Sequence, residues 1–145
     1  MIVTCGTYLY SSRLSKILVV HPTRTRWNNW SIPKGVMEKG EEIYGVCVRE
    51  LREETGIDLA KINIITSHQL PVRKYKKQEK SLESYLIVTD TDLSDHKFTS
   101  NLVEGKDFPE NDKWKWVTLE EAVGMIHESQ AENLPLIPSL VNSRG

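Results

Sequence analysis

Residues 2–9 are rich in Val, Thr and Tyr, the composition of a strand, and residues 16–21 carry the unbroken apolar run Ile17, Leu18, Val19 and Val20 of a buried one. Ser11, Ser12 and Arg13 between them make a turn, so the two predict a hairpin. His21 and Pro22 end the second strand, a polar loop follows over residues 23–29, and residues 30–32 form a short strand. Further on, residues 62–66 predict a strand that Pro71 interrupts, and residues 84–89 predict another, antiparallel to it. Residues 90–112 are polar and acidic and read as a long loop, after which Trp114, Lys115 and Trp116 alternate as a half-buried strand.

The period changes in two places. Ile43, Val46, Cys47 and Leu51 recur at helical spacing between Gly40 and Gly56, with acids crowding the start, so a helix is predicted over residues 42–55 with Gly56 as its stop. Thr118 to Glu121 fits a capping box, opening a helix with Leu119, Ala122, Val123 and Ile126 on its apolar side. Residues 134–138 hold two prolines, which predicts a tail packed on the surface instead of a regular helix. Strands before and after a central helix, with a second helix at the end, define an α/β chain whose mixed sheet is covered by helices on both faces, as one domain over residues 1–145.

Composition narrows the function more than the fold. A formal net charge of −1 gives no global attraction to nucleic acid or membrane, so any phosphate recognition must be local. Cys5 and Cys47 are too few for a disulfide framework, and Cys47, on the apolar arc of the helix, reads as a small core residue. No apolar run is long enough to span a membrane, and residues 1–9 lack a basic lead and a cleavage site, which makes a cytoplasmic location and no membrane partner the expectation.

Candidate chemistry sits on the first helix. At about 100° per residue, its apolar positions occupy an arc of roughly 140°. Glu50 and Glu54 fall inside that arc and Glu53 lies at its edge. Carboxylates converging on a packing face repel and are costly unless a cation compensates them; oxygen ligands suit a hard divalent ion, Mg²⁺ or Mn²⁺. The plainer alternative is a solvated acidic helix end held by Arg49 and Arg52. Before the helix, Pro33-Lys34-Gly35 and Lys39-Gly40 make a basic, glycine-punctuated turn that backbone N–H groups and lysines would use to approach phosphate. A second basic stretch, residues 73–80, sets Arg73, Lys74, Lys76, Lys77 and Lys80 around Tyr75 with Glu79 as the one acid. It is either a solvated hairpin tip or a cationic patch for a substrate with several phosphates or a nucleic-acid end.

Residues 35–57 match the Nudix box, G-x5-E-x7-R-E-U-x-E-E-x-G-U with U aliphatic, at Gly35, Glu41, Arg49, Glu50, Leu51, Glu53, Glu54, Gly56 and Ile57. The chain thus resembles the Nudix hydrolases, and the resemblance implies an α/β/α sandwich and metal-dependent cleavage of phosphoric anhydrides. It also implies site roles: Glu50 and Glu54 as metal ligands, Glu53 as a third carboxylate and candidate general base, the Lys34 carbonyl as a further ligand, and an Arg49–Glu41 salt bridge as structural support. Many members add a glutamate from a later loop; six residues before Trp116 that is Glu110, with Glu104 the runner-up and an ordinary surface acid the alternative for either. Lys34, Gly35, Lys39, Arg73, Lys74, Lys76 and Lys77 are the candidate phosphate contacts. Trp30 ahead of Pro33-Lys34-Gly35, which most simply packs under the loop, resembles the dinucleoside polyphosphate and inositol pyrophosphate branches. A nucleotide or polyphosphate small molecule is therefore the expected partner, with an RNA 5′ end, a nucleoside triphosphate, or binding without catalysis as the other readings.

Overall fold

A computed structural model describes residues 1–76 and 79–142. Its sheet contains β1 (Ile2–Ser11), β2 (Lys16–Pro22), β3 (Lys34–Val36), β4 (Ile64–Lys74), β5 (Lys80–Thr89) and β6 (Asn111–Val117). The order is β4-β5-β1-β2-β6, with β3 also pairing β1. Among these strands β1 and β5 pair in parallel, and the other pairs are antiparallel. The helices are α1 (Ile43–Thr55), α2 (Leu119–Val123), α3 (Glu128–Ala131) and α4 (Ile137–Val141).

Alternation along the central strands feeds two cores. Tyr8, Ile17, Val19, Leu86 and Val88 point to one face, where Ala122, Ile126, Leu134 and Ile137 of the C-terminal segments cover them. Leu9, Leu18 and Ile87 point to the other, against Leu51 of α1, Ile57 and Leu59. A sheet buried on both sides needs apolar residues at every position of its middle strands, which the run 17–20 supplies. The sheet lies between helical layers, as the pattern predicted. Among the described residues no helix is long and apolar enough to cross a membrane.

Several local expectations are corrected. The hairpin pairs only at Tyr10↔Ile17 and Ser11↔Lys16. Beyond that the strands part: β1 takes β3 as its neighbour, while β2 takes β6 and a bridge from Val20 to Ser31. Residues 30–32 contribute only isolated bridges, and the ordered strand is the Lys34-Gly35-Val36 stretch, which was expected to be a turn. Pro71 does not end β4; it falls at a register shift between Leu70 and Arg73 on an edge strand, where a missing N–H costs no interior ladder bond.

Both ends of the chain's helical segments also differ. The first turn of α1 holds no acid, because Glu41 and Glu42 precede it. Gly56, in the left-handed region at φ 79°, closes α1 by donating its N–H to the Arg52 carbonyl. α2 keeps its capping box, Thr118 with Glu121, but stops before Ile126, which instead bridges to Trp30. The segment 134–138 is not a surface tail. It forms a 3-10 turn and the start of α4, with a proline in the first turn where its missing N–H is harmless, and buries Leu134 and Ile137 in the core.

Candidate active site

α1 places Glu50 and Glu54 one turn apart, and both are buried, at 6% and 4% exposure. The ligand atoms of Glu50, Glu54 and Glu110 lie within 4.8 Å of one another. Glu110 arrives from the far side of the sequence because the loop before β6 is tied to the C-terminal end of α1. The last four carbonyls of that helix are all paired, Arg52 by the helix's own cap and the other three by the loop and β6. Gly56 N–H donates to Arg52, Asn101 N–H to Glu53 at 2.7 Å, Trp114 Nε1–H to Glu54 at 2.7 Å, and Thr99 N–H, together with His96 Nε2 at 2.8 Å, to Thr55. Phe98 stacks on Trp114, their planes 7° apart, and closes the arrangement.

Glu54 is held at both oxygens: Asn111 Nδ2 donates to Oε1 at 2.9 Å and the Lys34 N–H donates to Oε2 at 3.2 Å. Glu50 rests against Gly35, where a Cβ would collide with its carboxyl group. Gly35, in β3, thus lets a strand backbone lie directly on the carboxylate. Burial raises Glu54 well above the ordinary carboxylate range; the charges of Glu50 and Glu110 add to this and the Asn111 hydrogen bond opposes it. Burial likewise raises Glu50 and Glu110. Three oxygen donors that resist sharing negative charge fit a hard divalent cation, and the set matches Mg²⁺ or Mn²⁺ chemistry.

Arg49 supports the cluster from beside it. Its Nε and Nη2 donate to both oxygens of Glu41 at 2.9 Å, and Nη1 donates to Glu50 at 2.8 Å and to Glu53 at 3.3 Å. Nη2 also reaches the Val36 carbonyl at 3.4 Å, so one guanidinium joins the turn, β3 and the helix. Glu53 faces Arg49 and is not a member of the close trio. Glu104 is not in it either.

A cleft of about 630 Å³ opens from Glu54, Glu110 and Asn111 past Lys34, Trp30 and Gln130 to Tyr75, His127, Lys76 and Lys80. Gln130 fixes one wall, accepting the Ile32 N–H at 3.0 Å and donating to Ser31 Oγ at 3.0 Å. Tyr75 and His127 pack with ring centroids 4.9 Å apart, and Lys80 Nζ stands 6.0 Å from the Tyr75 ring. The predicted basic patch divides. Lys76, with Lys80, lines the cleft, whereas Arg73 is turned to Asn133 and Glu132, and Lys74 and Lys39 do not line it. Lys77 lies outside the described residues.

Sequence reasoning missed Asn111, Gln130, His127 and His21. Asn111 stands one residue from Glu110, a proximity that signals a site only once Glu110 is known to reach it. The others are single polar residues in unremarkable surroundings, and nothing in their spacing marks them.

The NUDIX domain family model matches residues 3–140, and the chain belongs to that family. It is 28% identical over 102 residues to an RNA pyrophosphohydrolase of Shewanella frigidimarina, covering 63% of this chain and 57% of that protein. To the asymmetrical bis(5′-nucleosyl)-tetraphosphatase of Mus musculus it is 28% identical over 95 residues, covering 66% and 59%. Of five of the curated relatives it matches, these two among them, the chain spans only 5% to 59% of the length. Among solved structures, the C. elegans Ap4A hydrolase in a binary complex superposes with a TM-score of 0.74 at 19% identity, covering 97% of this chain and 98% of that one, a likeness of fold.

Proposed function

We propose that this chain, as a single domain, is a divalent-metal-dependent pyrophosphohydrolase whose substrate is a dinucleoside polyphosphate. The observation that carries the reading is the cleft itself, whose lining brings Glu54 and Glu110 of the carboxylate trio together with two lysines and an aromatic pair. Cations that line the same cleft as the carboxylates suit a substrate with several phosphates, and the aromatic pair suits a base.

In this reading Glu50, Glu54 and Glu110, with the Lys34 carbonyl, hold the cation. When bound, it supplies charge neutralisation on the bridging phosphates and a more acidic water. Asn111 and the Lys34 N–H aim Glu54, and Arg49 orients Glu50 and Glu53. Glu53 accepts the water's proton. Lys76 and Lys80 meet the outer phosphates, and Tyr75, His127 and Trp30 border the nucleoside. The similarity to both an RNA pyrophosphohydrolase and a bis(5′-nucleosyl)-tetraphosphatase supports pyrophosphate-bond cleavage as the shared chemistry.

The test is turnover of diadenosine tetraphosphate, 5′-triphosphorylated RNA and nucleoside triphosphates, with Mg²⁺ or Mn²⁺ and then with excess chelator, products resolved by chromatography. Metal-dependent cleavage with the highest kcat/KM on diadenosine tetraphosphate is expected. Preference for RNA or for a mononucleotide would overturn the substrate assignment, and no turnover of any would overturn the activity.

A further inference from the structure

Residues 23–28, between the cleft-lining Pro22 and Asn29, carry Trp27, which at 79% exposed is the most exposed large hydrophobic among the described residues. An exposed tryptophan on a floppy loop would call for no explanation. This loop is pinned on both sides of Trp27, at residues 23–26 and at Asn29. Thr23 N–H donates to the Glu110 carbonyl at 2.8 Å, Thr25 Oγ1 donates to the Pro22 carbonyl at 2.6 Å, and Arg24 lies 4.1 Å over the Phe108 ring.

The main fastening is His21, which is 3% exposed. Its Nδ1 meets Asp112 Oδ1 at 2.7 Å, its Nε2 meets the Arg26 carbonyl at 2.7 Å, and its ring sits edge-on to Trp30 with centroids 5.4 Å apart. Asn29 N–H then donates back to Arg26 at 2.9 Å, closing the turn that holds Trp27 at its tip. A tryptophan so exposed, on a turn whose neighbouring residues are tied down, with Arg26 next to it in the chain and no acid between residues 22 and 30, has the chemistry that stacks on a base attached to phosphate.

We propose that Trp27 is a stacking platform for the second nucleobase of a two-headed substrate, the base left outside when the first occupies the cleft, with Arg26 beside its phosphate. The proposal rests on the reading of the cleft as a dinucleoside polyphosphate site. It makes Trp27 a specificity determinant, because only a substrate with a base at each end reaches it. His21 is a positioning residue that acts through the turn.

The test compares diadenosine tetraphosphate with adenosine 5′-tetraphosphate, which has the same phosphate number and one base. In Trp27→Ala, KM for the two-headed substrate should rise about tenfold with kcat near wild type, while KM for the one-headed substrate stays within about twofold. Trp27→Phe should restore most of the loss, and both variants should keep the wild-type Tm because the side chain is in solvent. His21→Asn should give the same split between substrates as Trp27→Ala, and no further loss when combined with it.

Equal KM changes on both substrates, or none on either, would overturn the platform. An effect confined to 5′-triphosphorylated RNA would overturn the two-headed assignment. If neither nucleotide is turned over, the proposed activity fails, and the platform is still read directly: diadenosine tetraphosphate should quench tryptophan fluorescence in wild type more than in Trp27→Ala, and identical quenching overturns it.

Discussion

Two ionic clusters border the site, one against the carboxylate trio and one on the wall of the cleft, and they behave differently. In the first, Arg49 is three-quarters buried and binds three carboxylates and a carbonyl. In the second, Lys76 pairs with Glu128 at 2.7 Å, but both side chains are about two-thirds exposed. Water and salt screen the second pair, and its geometry costs two flexible side chains their freedom, so it adds little to the fold. The first cannot be opened without leaving partly buried charge unpaired. The same pairing of cation and carboxylate thus builds the site beside the trio and leaves it available to a ligand on the cleft wall.

The sharpest way to break this comparison is at Glu54. Glu54→Gln keeps the shape and removes the charge, so kcat should fall on the order of 10²- to 10⁴-fold, and the rise in Tm that Mg²⁺ or Mn²⁺ gives wild type should shrink or vanish. Full turnover by the variant would remove Glu54 from the chemistry.

Next comes Arg49→Ala, which strands Glu41, Glu50 and Glu53 together. Activity and stability should drop in concert, with Tm falling on the order of 5 °C in thermal denaturation. An inactive variant with unchanged Tm would make Arg49 a substrate contact instead of a support.

On the cleft wall, replacing Lys76 and Lys80 together by Ala should leave Tm within a degree or so, yet raise KM for diadenosine tetraphosphate a few-fold, an effect that shrinks with added salt. Lys74→Ala, outside the cleft, should do neither. If Lys74→Ala matches the double variant, the lysines act through general field and not through contact.

The smallest effect concerns the thiols, which share the α1 side of the sheet with the glutamates. Burial pushes Cys5 up to about 11 and Cys47 up to about 12, and Cys47 Sγ–H donates to the Gly6 carbonyl at 3.2 Å. Their raised values mean the stability they contribute is complete below about pH 9 and is lost as pH climbs through about 11 to 12. At pH 8 the native protein should not react with a thiol reagent over hours, whereas the unfolded chain should react at both cysteines. Fast labelling of the native protein would mean that this part of the core opens.

The helix, its glycine stop and the burial of acids on its apolar face were legible in the sequence because all are local: spacing of a few residues decides them. So was the pairing of Glu41 with Arg49, which the family resemblance implied and which the structure contains. The basic stretch 73–80 was not legible as a site. Its residues were equivalent on paper, yet Arg73, inside β4, turns to Asn133, while Lys76, past the strand's end, lines the cleft. The same limit applies to residues 134–138, where two prolines looked like a reason to leave the core and instead sit in helical turns that bury Leu134 and Ile137 in it.

By itself, the sequence determined where carboxylates crowd, where the chain must turn, and which strands have apolar residues on both sides, since each follows from residues within a few positions of one another. Only the tertiary structure decided that Glu110 joins Glu50 and Glu54 while Glu53 turns to Arg49. That choice depends on a loop of some twenty residues hydrogen-bonding to the open carbonyls of α1. Such partners lie 40 to 60 positions apart, and no pattern along the chain records which N–H will satisfy which carbonyl once the sheet has brought them together.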